Sequence, residues 1–310
     1  MSLASVALWT RFLGGWSPLL SAVHRGEPQT VARWSLFDLI VVLVFVFFPQ
    51  MLAQGYVEQA HPGATDLAEA GLAPDAFASF LWWRSAALLA GTGLGIAWVW
   101  QRHRDKLVLG GDWTRWRSDV RLGVVGFLML APPVLLMQLA LTRFFPSQHP
   151  LIDLVLAKPE PRFLWACGVA AVVAAPLAEE FQFRVMIQGW LQTAARPGIP
   201  SESWLVGITS RDLGIVDARS AEMKDATSTA AMPSAADPPR HWPAIATSAL
   251  FALAHANHGP DPIPLFFLSW GMGWLYRGTS RVLPGIVVHF LLNLWTLLLL
   301  LVRVYGSSLT

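Results

Sequence analysis

Leu122–Thr142 runs 21 residues without an Asp, Glu, Lys or Arg, and six further stretches repeat the pattern. These are Leu39–Val57, Ser85–Gln101, Phe163–Ala178, His241–Pro260, Pro262–Tyr276 and Val282–Val302. A helix rises ~1.5 Å per residue and the hydrocarbon core of a bilayer is ~30 Å thick, so about 20 apolar residues cross it. Lipid offers backbone N–H and C=O groups no partner, which leaves helices that satisfy themselves. The expected fold class is therefore all-α, a polytopic membrane bundle of about seven transmembrane helices (six to eight). The fourth stretch continues past its charges to about Leu191, because Phe181, Phe183, Val185, Met186, Ile187 and Trp190 stay apolar. Only the Gly259-Pro260-Asp261-Pro262 turn separates the fifth from the sixth.

Composition closes the other classes. Of 310 residues 54% are hydrophobic and 14% charged, against about 25% charged in a soluble domain. The net charge of +2 comes from basic residues scattered over loops, so no nucleic-acid partner is expected. One cysteine, Cys167, excludes an internal disulfide and any cysteine-rich metal site. The lipid bilayer is the expected surrounding, in a bacterial inner or cell membrane.

Lys and Arg in loops orient a membrane protein. With the N-terminus in the cytoplasm, 16 basic residues fall inside and five, Arg84 included, fall outside or at that edge. The vote is for a cytoplasmic N-terminus. Met1–Leu20 is apolar but interrupted by Arg11 and Gly14-Gly15, and reads as a helix lying in the interface. Residues 1–34 thus form an N-terminal cytoplasmic or interfacial segment and 35–145 a set of accessory helices. Ala195–Arg240 is rich in Ala, Ser, Thr, Pro and Asp. Such a segment buries too little apolar surface to offset its ordering entropy, and reads as a disordered cytoplasmic insertion at 195–240.

The informative residues break the apolar pattern. Glu179, Glu180 and Arg184 lie inside the fourth span, in Ala178-Glu-Glu-Phe-Gln-Phe-Arg184. An ionised side chain there costs at least ~2.5–3.5 kcal/mol. Glu180 and Arg184 are four apart, so they face each other as an ion pair. Glu179 is rotated ~100° from Glu180 and points elsewhere. In Phe251-Ala-Leu-Ala-His255 a histidine ends an apolar stretch, and in His289-Phe-Leu-Leu-Asn293 the His and Asn share one helix face. Counted from the cytoplasmic helix ends, these groups lie at ~10–21 Å depth. An acid, two imidazoles and an amide at a similar level can activate water. His24, His61, His103, His149, His241 and His258 lie in loops or at span ends, where solvation is the ordinary state. His258 stands apart as i+3 from His255.

Glu-Glu-x-x-x-Arg, Phe-x-x-x-His and His-x-x-x-Asn, in this order, resemble the CPBP family. That family comprises the CAAX prenyl endopeptidases and bacteriocin-processing or Abi-like immunity-type intramembrane proteases. The flanks agree: Trp242-Pro-Ala-Ile before the second motif, Trp274-Leu-Tyr-Arg-Gly-Thr279 before the third. The likeness covers 163–303, which it marks as a catalytic core interrupted by the insertion. It implies an intramembrane endopeptidase that cleaves a membrane-associated protein or peptide, with CAAX proteins one substrate class. By motif position Glu179 is the general base with His255 its partner, and Glu180 with Arg184 is the bracing pair. His289 and Asn293 stabilise the tetrahedral intermediate. General physics agrees, since oxyanion donors strengthen where water is scarce. The family's usual Gly after the Arg is Val185 here, and its usually short link between the first two motifs holds the insertion. No His-Glu-x-x-His is present, and a glutamate mechanism without cofactor is the expectation. Were a divalent metal such as zinc bound, its ligands would be Glu179, His255 and His289. Two other classes remain at this stage. Buried acid–histidine sets also build proton-coupled transporters, and the same bundle can serve as a non-catalytic scaffold or immunity protein.

Overall fold

The computed structural model describes residues 3–13, 32–63, 74–104, 113–145, 155–156, 159–196, 199, 201–207, 241–256 and 259–306. Among them the structure is helical, without strands. The elements are α1 (Leu3–Leu13), α2 (Leu36–Ala60), α3 (Pro74–His103), α4 (Trp116–Phe144), α5 (Pro161–Ala194), α6 (Ser201–Val206), α7 (Trp242–Leu253), α8 (Pro262–Thr279) and α9 (Leu283–Gly306). Each of the seven expected spans has a matching helix. Four segments are long and apolar enough to cross a membrane among the described residues: α2, α5, α9, and α4 with the single turn before it (Trp113–Phe144).

The fifth span is shorter than its apolar run. α7 stops at Leu253 after 12 residues, which is ~18 Å of helix. His255 N–H and Ala256 N–H then bond three residues back, to Ala252 O and Leu253 O, so the helix ends in a tightened turn. α7 and α8 therefore form a hairpin inside the bundle. Its loop is tied to α4 by the bond from Gln138 Nε2 to Asp261 Oδ1.

Glycine lets the first two long helices meet backbone to backbone. Pro49 removes the N–H that would bond Phe45 O in α2. A Cβ at Gly91 of α3 would overlap that same oxygen, and one at Gly95 would lie 3.1 Å from Val42. The Gly91-x-x-x-Gly95 pair is thus the small-residue contact that membrane helices use to pack closely. α5 lies at the centre and packs on α3, α7, α8 and α9. One core cluster joins Trp34, Val42, Val46, Val99, Val185, Met186 and Tyr276. A second joins Met129, Leu268, Met272, Leu275, Val288 and Leu292 across α4, α8 and α9. Leu8 of α1 packs on the second cluster, so the N-terminal helix also touches the bundle. Of the insertion, 208–240 lies outside the described residues. At its start Trp190 Nε1 donates to Trp204 O of α6 at 2.8 Å.

Two π-helical stretches interrupt α5, Val169–Ala174 and Phe181–Gln188. In them Ala175 N–H bonds Ala170 O and Gly189 N–H bonds Arg184 O, both five residues back. Such bulges recur at functional sites, and these flank Glu179 and Glu180 on either side.

Candidate active site

Three of the six motif residues come from α5, and the rest converge on it. Glu180 and Arg184 are both fully buried, and Arg184 Nε donates to Glu180 Oε2 at 3.1 Å. The spacing that predicts this pair holds even though the intervening turn is π-helical. Arg184 Nη2 continues to Ser269 Oγ of α8 at 2.8 Å, a partner without any motif in the sequence to announce it. α9 brings His289 against both acids. Its Nδ1 lies 3.4 Å from Glu180 Oε1 and its Nε2 lies 3.9 Å from Glu179 Oε2. One imidazole therefore bridges the two carboxylates. Glu179 keeps 25% of its side chain exposed while Glu180 keeps none.

α9 can approach this closely because of Gly285. A Cβ there would lie 2.5 Å from Glu180 Oε2. The tight link from α8 sets where α9 begins: Ser280 takes the left-handed region at φ 52°, and Thr279 Oγ1 accepts from Arg281 N–H. Arg281 is held in turn by Asp119 of α4 at 2.7 Å.

His255 sits just beyond the C-terminus of α7. Its Nδ1 lies 2.8 Å from Phe251 O. A carbonyl only accepts, so Nδ1 carries the proton and Nε2 is the ring's basic nitrogen. Phe251, fully buried, joins the motifs physically. Its ring lies 4.8 Å from that of His255 and 5.9 Å from that of His289. Phe183 meets it edge-on at 5.1 Å and the Arg184 guanidinium lies 5.6 Å from its centroid. The Phe of Phe-x-x-x-His is thus the surface on which both histidines and the arginine rest. Asn293 Nδ2 donates to Ala171 O at 2.7 Å. That carbonyl belongs to the first π-helical stretch, so the amide ties α9 to α5 one turn and more before the glutamates.

Within this cluster Glu179 Oε2, Glu180 Oε1 and His289 Nδ1 are buried and make no hydrogen bond to protein. Buried polar atoms of that kind mark places where chemistry, water or substrate is accommodated. Among the described residues no group of three His, Cys, Asp or Glu is arranged to hold a metal ion. His258, His24 and His149 lie outside the described residues. His103, expected in solvent or at the interface, instead pairs with buried Asp38 at 2.8 Å and keeps 11% of its side chain exposed.

Residues 228–295 match the family model described as type II CAAX prenyl endopeptidase Rce1-like. The match contains His255, His289 and Asn293 and begins downstream of Glu179, Glu180 and Arg184. It agrees with the family named from the three motifs, and the Rce1-like family is one of proteases. Searches among curated proteins and solved structures return no match.

Proposed function

We propose that this membrane protein is a CAAX-type intramembrane endopeptidase acting on a membrane-associated protein or peptide. The observation that carries the reading is the asymmetry between adjacent acids. Glu180 is spent on Arg184, while Glu179 stays partly exposed and faces an imidazole across 3.9 Å. A carboxylate so placed suits a general base: part of its side chain is left uncovered by the protein, and its neighbour holds the local charge in balance.

In the proposed reaction Glu179 takes a proton from a water molecule whose oxygen attacks the scissile carbonyl carbon. The carbonyl π pair moves onto oxygen, where N–H donors of His289 and Asn293 receive it. His255, basic at Nε2, shares the handling of the water proton with Glu179. Collapse of the intermediate breaks the C–N bond, and the proton held by Glu179 passes to the departing amine. Glu180, Arg184 and Phe251 position His289 and touch no reacting atom.

Comparative membrane proteomics of cells carrying the wild type or Glu179→Ala tests the reading. A precursor that accumulates only in the variant, with the variant inserted at wild-type level, is the expected result. Identical proteomes under conditions where the wild type cleaves a CAAX substrate would refute the role of Glu179.

A further inference from the structure

Glu180, Arg184, Gln188 and Gln192 recur every fourth residue along α5, and Arg196 just past its end continues the spacing. Four α-helical residues overshoot a full turn by ~40°, so such a stripe would wander around an ordinary helix. The π-helical stretch Phe181–Gln188 turns less per residue and offsets that drift. The stripe consequently stays inside: Glu180, Arg184 and Gln188 are all fully buried. α8 presents the same spacing in Ser269, Gly273 and Arg277, with the polar Ser269 and Arg277 both buried.

Two hydrogen bonds with one offset lock the stripes together. Arg184 Nη2 reaches Ser269 Oγ at 2.8 Å and Gln188 Nε2 reaches Gly273 O at 2.7 Å, each 85 residues apart. The helices therefore run parallel and in register, which brings Arg277 level with Gln192. Glycine at 273 permits this approach, since a Cβ there would lie 2.9 Å from Gln188 Oε1.

The stripe is more polar than joining two helices requires. Arg184 Nη1, Gln188 Oε1 and Gln192 Nε2 are buried and make no hydrogen bond to protein. Apolar residues of similar shape would join the helices without the desolvation cost of polar groups left unsatisfied. Water in contact with such groups removes the penalty, and buried waters occupy sites of this kind. At one end the stripe meets Glu180, beside Glu179 and His289. Its other end is the C-terminal end of α5, where Gln192 and Arg196 are partly exposed.

We propose that Arg184, Gln188 and Gln192, with Ser269 and Gly273 opposite, line a water path from the C-terminal end of α5 to the paired glutamates. The proposal deepens the peptidase reading, because each hydrolysed bond consumes one water at a site enclosed by apolar helices. Its test reads hydration and not cleavage. In the full-length chain with Cys167→Ala, single cysteines are introduced as Gln188→Cys, Gln192→Cys and Val185→Cys. Val185 is fully buried on the same helix, in the apolar core. The probe is the silver ion, which bonds thiolate, and a thiol in apolar packing stays protonated. Folding is checked by thermal unfolding in detergent. We expect Gln192→Cys and Gln188→Cys to react about tenfold or more faster than Val185→Cys. Equal, slow reaction at all three positions would overturn the path. If Gln188→Cys does not fold, Ser269→Cys, fully buried opposite Arg184, takes its place against Val185→Cys. A protein that reacts with silver in this pattern yet cleaves nothing would refute the peptidase reading and leave the path standing.

Discussion

The bundle buries carboxylates in two regions, and it treats them in opposite ways. Asp38, at the start of α2, accepts from Ser35 N–H at 2.9 Å, Ser35 Oγ at 2.8 Å and Trp98 Nε1 at 3.2 Å. His103 Nε2 at 2.8 Å and Arg102 Nε at 3.2 Å complete its surroundings. Both oxygens are fully partnered, and they tie the first turn of α2 to the last turn of α3. Around Glu179 and Glu180 the partners are fewer and farther, and buried oxygens are left without a hydrogen bond. A satisfied network rigidifies, whereas an under-satisfied one is held in readiness for something that completes it. The contrast separates a clamp from the proposed reaction centre.

Substitutions can break that comparison. The largest expected effect is on turnover: Glu179→Gln lowers cleavage ~10²–10⁴-fold, the usual range for losing a general base, with no loss of thermal stability. Asp38→Ala does the reverse. Losing the hydrogen bonds to this buried carboxylate costs ~1.5–3 kcal/mol, the exposed Arg102 adding little, to be read from denaturant unfolding in detergent, while turnover per folded molecule stays at the wild-type level. Ser269→Ala takes a hydrogen bond from the charged Arg184 and costs ~1.5–3 kcal/mol, with Ser269→Thr restoring most of it. Gly285→Ala forces Glu180 off its position, for a strain of ~1–3 kcal/mol. Here turnover falls with KM nearly unchanged, because His289 moves with Glu180. If Asp38→Ala silenced cleavage while sparing stability, the division into clamp and reaction centre would fail.

The sequence exposes the second region far better than the first. Glu180–Arg184 is legible because helical spacing alone makes the pair, and the long apolar helices are legible because hydropathy reports burial in lipid. Asp38 escapes notice since it sits just before the apolar run, and its partners on α3 lie 60 to 65 residues away. Ser269 looks like any small polar residue in a membrane helix until α8 is laid in register with α5. Hydropathy also cannot see where a backbone stops: His241–Pro260 carries no Asp, Glu, Lys or Arg, yet the helix ends at Leu253 and hands His255 to a turn. Nor does motif spacing foretell that Asn293 reaches back to the carbonyl of Ala171, because that bond joins helices 122 residues apart.

The most direct test of the central claim follows the water oxygen itself. Purified protein in liposomes is given a prenylated CAAX peptide in ¹⁸O-labelled water, and the new carboxyl terminus is weighed by mass spectrometry. The wild type is expected to give product carrying one ¹⁸O, and Glu179→Gln to form it ~10²–10⁴-fold more slowly. Labelled product formed at the wild-type rate by Glu179→Gln would contradict the central claim.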